Sequence, residues 1–156
     1  MDGMYLNLQI AVGWFGTGNY SMALRWLNRV LTKINQPSFG ADTKRISVLF
    51  NLILHFELQN YELLSYHVRS AYRYLRKKQT LYRFEEIILD FIRSKLPRSV
   101  NLPRLRMAFI ELKNELLLIT GDENEKELLE GFHYISWLES KIENRPFAEI
   151  VKEKIS

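Results

Sequence analysis

Apolar residues recur at helical spacing along most of this chain, in stretches cut by short polar corners. Leu6, Leu8, Ile10, Ala11, Val12, Trp14 and Phe15 form the first stretch, which Thr17-Gly18-Asn19 breaks. Glycine takes the left-handed conformation that closes a helix, and asparagine suits the cap that follows. Tyr20, Ala23, Leu24, Leu27, Val30 and Leu31 predict a second helix, and Gln36-Pro37-Ser38-Phe39-Gly40 a loop. Asp42 or Thr43 is the expected cap of a third helix, carried by Val48, Leu49, Leu52, Ile53 and Phe56. After Gln59-Asn60, a fourth follows on Tyr61, Leu64, Val68, Ala71, Tyr72 and Leu75, closing in Arg76-Lys77-Lys78. Residues 80–95 predict a fifth, with Leu81, Phe84, Ile87, Ile88, Phe91 and Ile92 on one side and Leu96-Pro97 as its stop. Pro103 marks the start of another, through Leu105, Phe109, Leu112, Leu116 and Ile119 to Thr120-Gly121. Beyond the acidic corner Asp122-Glu123-Asn124-Glu125, one helix is expected through Leu128, Leu129, Phe132, Ile135, Trp137, Leu138 and Ile142, stopped by Asn144-Arg145-Pro146. Phe147, Ile150 and Val151 fit a short last helix. The pattern predicts an all-α fold of about seven helices with no strand.

One corner occurs twice, 41 residues apart. Gly18-Asn19-Tyr20 precedes Ala23, Leu24 and Leu27; Gln59-Asn60-Tyr61 precedes Leu64, Val68 and Ala71. A repeated helix–corner–helix marks a stacked helical repeat. In the first copy, Ala11, Trp14, Gly18, Asn19, Tyr20 and Ala23 resemble the tetratricopeptide repeat, with Leu27, Val30 and Leu31 following and the terminal proline displaced to Pro37. The second copy departs from that motif. Leu52 and Leu64 stand where small residues belong, and the interval exceeds the roughly 34 residues of the repeat, which implies longer helices and a wider second pair. The resemblance implies a right-handed superhelix of antiparallel helices over a single domain, residues 1–156. Residues 1–40 and 41–79 would be repeat-like pairs and 80–156 a divergent part. Stretches such as Phe56-Glu57-Leu58-Gln59-Asn60-Tyr61 and Trp137-Leu138-Glu139-Ser140-Lys141-Ile142 are similar to C-terminal parts of larger bacterial repeat proteins, so the chain is expected to be a piece of a longer solenoid.

Composition narrows the class. Hydrophobic residues make up 47% of 156, enough for one buried core and too many for a disordered segment. No apolar run approaches the roughly 18–20 residues of a membrane span. Met1-Asp2-Gly3-Met4 carries no basic region or small-residue cleavage site, so no signal peptide is expected. Without cysteine there is neither a disulfide frame nor thiolate chemistry, which fits a cytoplasmic location. The net charge of +4 is unevenly spread: residues 63–110 hold eleven Lys/Arg against three acids, and residues 111–156 hold six against eleven. Such a split marks a basic binding face, lets two halves of one solenoid attract each other, or lets a basic middle dock on the acidic end of another copy.

Few residues point to catalysis. His55 and Glu57 are two apart on a helix and face different ways, and no cysteine pair completes a zinc deaminase. The acidic corner lacks the spacing and central glycine of a calcium loop and reads as a solvated helix start. Glu85-Glu86 reads as pairing with Arg83 or Arg93, and His55, His67 and His133 as three separate packed or surface residues. No catalytic residue, metal or cofactor is expected, nor any membrane partner. Trp14, Tyr20, Tyr61 and Trp137 read as core fillers, and Trp26 as a residue facing either a groove or a neighbouring repeat. What remains is a binding surface: an inner wall of Asn7, Trp14, Asn51 and His55, with Arg69, Arg73 and Arg76 nearby. Those arginines recur at i, i+4 and i+7 and share one helix face, with Tyr66, Tyr74, Lys77, Lys78, Tyr82 and Arg83 close in sequence. The expected function is a non-catalytic scaffold for a protein or peptide, acidic ones included. The alternative is nucleic acid on the basic face of residues 66–83, where cations hold phosphates and aromatics stack on bases.

Overall fold

The computed structural model describes residues 3–36, 40–77, 81–99 and 101–155, and the side chains of 128 and 130 are excepted. Met1, Asp2, the expected loop residues Pro37, Ser38 and Phe39, Lys78 and the side chain of Leu128 lie outside this description. The described residues are all-helical: nine α-helices, one π-helical turn and one 3₁₀ turn, with no strand among them. They fall into two compact units, Met1–Arg73 and Tyr74–Ser156.

The first unit contains α1 (Gly3–Gly16), α2 (Tyr20–Leu31), α3 (Ala41–Glu57) and most of α4 (Tyr61–Arg76). α2 packs on α1 and on α3, and α1 also touches α3. Ala11 and Ala23 are fully buried, and without larger side chains there the two helix axes come close. Phe15 fills the space beside them, 5.2 Å from the Tyr20 ring and 5.4 Å edge-on from Phe50. α3 is the helix most enclosed, with Leu49, Phe50, Leu52, Ile53 and Leu54 all buried. Neither Asp42 nor Thr43 caps it; the cap position is Gly40, two residues before Asp42 and three before Thr43.

Both corners have the same backbone path. Gly18 stands at φ 81° and Gln59 at φ 60°, each in the left-handed region. At the first corner, Gly18 N–H donates to Phe15 O, Asn19 N–H to Trp14 O and Ala23 N–H to Asn19 O. At the second, Gln59 N–H donates to Phe56 O, Asn60 N–H to His55 O and Leu64 N–H to Asn60 O. Every one of these bonds recurs with the shift of 41 seen in the sequence, although the second corner has no glycine.

The second unit contains α5 (Arg83–Asp90), a π turn (Phe91–Lys95), a 3₁₀ turn (Leu96–Arg98), α6 (Leu102–Leu117), α7 (Glu123–Gly131), α8 (Tyr134–Glu143) and α9 (Phe147–Ile155). α6 packs on α8 and α5, α8 on α9, and α5 on α7. Phe84, Phe91, Phe109, Phe132, Tyr134 and Trp137 make an aromatic core, with Phe109 edge-on to Trp137 at 5.7 Å. Asn101 caps α6 by accepting from Arg104 N–H at 2.9 Å, and Pro103 lies in the first turn, as its lack of an N–H favours. The single helix expected over 128–142 is two. Gly131 ends α7 and Phe132 is extended, at φ −122° and ψ 143°. Apolar spacing continues across this break because Phe132 is buried in the extended form, stacked 5.7 Å from Phe147. The helix expected over 80–95 likewise changes pitch at Phe91, and Phe91 and Ile92 of the widened turn are both buried.

Candidate functional site

α4 separates its two faces cleanly. Leu64, Val68, Ala71 and Leu75, at i, i+4, i+7 and i+11, are buried. The opposite face carries Glu62, Tyr66, Arg69 and Arg73, all exposed, with Tyr66 53% accessible. Arg69 and Arg73 are one turn apart, about 6 Å between their β-carbons. Arg76, the last residue of the same helix, is exposed and belongs to the second unit. Tyr61 and Leu63 add exposed aromatic and aliphatic surface at the start of α4, so Tyr61 is not the core filler its corner position predicts. A ridge of two guanidinium groups beside a tyrosine ring can pair with carboxylates or phosphates and stack on a flat group.

The expected inner wall is arranged differently. Asn51 is 6% and His55 5% exposed, so neither forms open surface. They belong to a polar stripe down α3, Thr43, Ser47, Asn51 and His55, spaced four apart and buried throughout. Ser47 Oγ and Asn51 Oδ1 have no hydrogen-bond partner among the described residues. Asn7 and Trp14 are half-buried on α1, and the Asn7 amide contacts Met4 Sδ at 3.8 Å. Trp26 is also half-buried, and the Arg29 guanidinium sits over its ring at 4.1 Å, a local cation–π pair.

His55 meets His67, which sequence separation concealed. Their rings stack at 4.6 Å with 19° between planes. Asn60 Nδ2 lies 3.2 Å from His55 Nδ1. An amide nitrogen only donates, so Nδ1 accepts and the ring proton of neutral His55 sits on Nε2. Burial, then the neighbouring imidazole, holds the His55 pKa below the usual histidine value; burial does the same to His67. Tyr20 is pushed well above an ordinary phenol by burial and by its hydrogen bond to Glu57.

In the second unit the structure places two carboxylates inside. Glu85 and Glu125 are 0% and 4% exposed. Glu125 Oε1 accepts from Phe84 N–H at 2.7 Å and Glu85 Oε1 from Tyr82 N–H at 2.9 Å, so both hold the free amides where α5 begins. Glu125 is therefore not the solvated corner residue expected, and the Glu85 carboxylate serves the backbone. Arg93 pairs with Asp90 at 3.3 Å, an i, i+3 contact. Beside them the Tyr134 hydroxyl is buried without a hydrogen-bond partner among the described residues, and burial with the nearby Glu85 drives its pKa far up. Glu139 joins three helices: Lys113 Nζ of α6 lies 3.2 Å from its Oε2, and Lys154 of α9 bonds its Oε1. Burial raises the Glu139 pKa, but the two lysines outweigh it and the net shift is downward. Arg145 gathers Glu143, Glu149 and Glu153 around the start of α9.

Among the described residues no three His, Asp or Glu side chains come together as metal ligands, and no helix is long and apolar enough to cross a membrane. Comparison with protein-family models, curated proteins and solved structures finds no match to this chain.

Proposed function

We propose that this chain is a non-catalytic helical-repeat module, related in build to tetratricopeptide repeats, that binds a protein partner through an acidic segment laid on the solvent face of α4. The carrying observation is that ridge: Arg69 and Arg73 project beside exposed Tyr66 from a helix whose other face is anchored in the core. Support for the repeat reading comes from the two corners with one hydrogen-bond pattern and from the small residues Ala11 and Ala23 where helices close up. A right-handed superhelical path and a cytoplasmic setting go with that reading. The best-placed carboxylates, Glu85 and Glu125, hold helix amides, an architectural role that fits a scaffold better than acid–base chemistry. Tyr66 beside two arginines also favours a second reading, single-stranded nucleic acid, with stacking on the ring and phosphates on the guanidinium groups.

Capture of the tagged protein from its own cell lysate, with and without nuclease, separates the two. A discrete protein retained after nuclease and lost with Arg69→Ser plus Arg73→Ser is the expected result. Retention that collapses with nuclease and falls steeply with salt moves the ridge to nucleic acid. A bound set unchanged by the double substitution removes the ridge from function.

A further inference from the structure

We propose that the second unit associates head to tail with a second copy of this chain, the start of α6 in one molecule receiving the end of α6 and the start of α7 from the next. At the start of α6 a cleft of about 400 Å³ is lined by Arg98, Arg104 and Lys95, with Pro103, Met107 and Ala108 among the apolar residues and Glu111 also on its wall. Lys95 is engaged by Glu115 at 2.8 Å, while Arg98 and Arg104 make no ion pair among the described residues. Two large apolar side chains are exposed at this end, Leu102 at 80% and Met107 at 55%.

The far end of α6 is its complement. Leu117 is 44% and Leu118 86% exposed, followed by exposed Asp122, Glu123 and Glu127, with Lys126 the cation among them. Four of the five large apolar side chains exposed in this unit therefore sit at the two ends of one helix, cationic at one end and anionic at the other.

Two considerations select a second copy as the occupant. α6 has 16 residues, so its ends are about 24 Å apart and cannot meet within one molecule. At the start of α6 the charges also oppose the helix dipole. No acid lies in the first turn and no base in the last; arginines crowd the positive end and carboxylates follow the negative one. Asp122 and Glu123 stand at the start of α7, where the dipole favours them, so the uncompensated end is the cationic one, and it is neutralised when the anionic end of one molecule enters the cleft of another. Such a contact is heterologous, so it propagates along the α6 direction unless the rotation closes a ring.

Sedimentation of the full chain tests this. At about 50 mM salt the mass should exceed a monomer and rise with concentration; at about 500 mM, where screening acts within a few ångströms, it should fall to a monomer. Arg98→Glu with Arg104→Glu, and separately Glu123→Lys with Glu127→Lys, should each be monomeric with unchanged helical circular dichroism. Asp122 is left intact because it caps α7. An equimolar mixture of the two variants should re-form a complex. A wild-type monomer at low salt and high concentration overturns the proposal, as does association that survives either pair of substitutions, or a mixture that stays monomeric.

Discussion

Gln59 occupies a conformation that glycine occupies at the equivalent corner, φ 60° against 81° for Gly18. An L-residue there is strained by about 1–2 kcal/mol. Gln59→Gly should raise stability by about 0.5–1 kcal/mol, the relief being partly offset by the larger chain entropy of glycine when unfolded. A denaturation midpoint that stays or falls would mean the side chain of Gln59 holds the corner. The stacked His55–His67 pair sets a pH dependence of known sign. Both pKa values lie below 6.5 in the folded chain, so the unfolded chain binds more protons as pH drops. Their stability is complete above pH 6.5 and is lost as pH falls from there through the lower folded values. The melting temperature should fall between pH 7.5 and 5.5, and less so in His67→Phe, which keeps a ring against His55.

Individual elements depend on contacts that lie far apart in sequence. Glu125 of α7 holds the Phe84 amide of α5 across 41 residues. Glu125→Ala leaves that buried N–H without its acceptor and should cost about 1–3 kcal/mol in chemical denaturation, whereas Glu125→Gln keeps an acceptor oxygen and should cost less. Equal losses would place the effect in charge and not in the hydrogen bond. Glu139, with its lowered pKa, adds stability that is present above its ordinary value of 4.5 and lost as pH falls through the folded one. The elements differ in how legible they were. Gly18-Asn19 and Asn144-Pro146 are local signals, and the chain turns there as they predict. Apolar spacing runs on through Phe132 because it cannot tell a buried extended residue from another helical one, and Gly131 beside it is the local sign of the break. Glu85 and Glu125 look solvated in any local window; only tertiary contact places them on the α5 amides. Asn51 and His55 read as an open polar wall because their spacing matches an exposed stripe, yet α3 is enclosed along that face too.

At the scale of the whole molecule, charge asymmetry is the trait that sequence disclosed most directly and structure localised. The basic middle resolves into two separate features, the Arg69–Arg73 ridge on α4 and the Arg98–Arg104 cleft at α6, and they make separable predictions. Arg69→Ser with Arg73→Ser should weaken partner capture without altering sedimentation. The α6 charge reversals should alter sedimentation and spare capture. A variant pair that moves both readouts would join the two surfaces into one.

The repeated corner has a consequence for how this chain can change length. A segment cut from Tyr20 to Asn60 begins and ends beside the same backbone turn, with the same three hydrogen bonds at either junction. It is a 41-residue cassette whose ends are interchangeable, so duplicating or excising it creates no new loop and leaves the junction geometry as it was. Growth or loss by whole cassettes is thereby easier for this chain than growth by single residues within a helix, each of which would rotate the following side chains of that helix by about 100°.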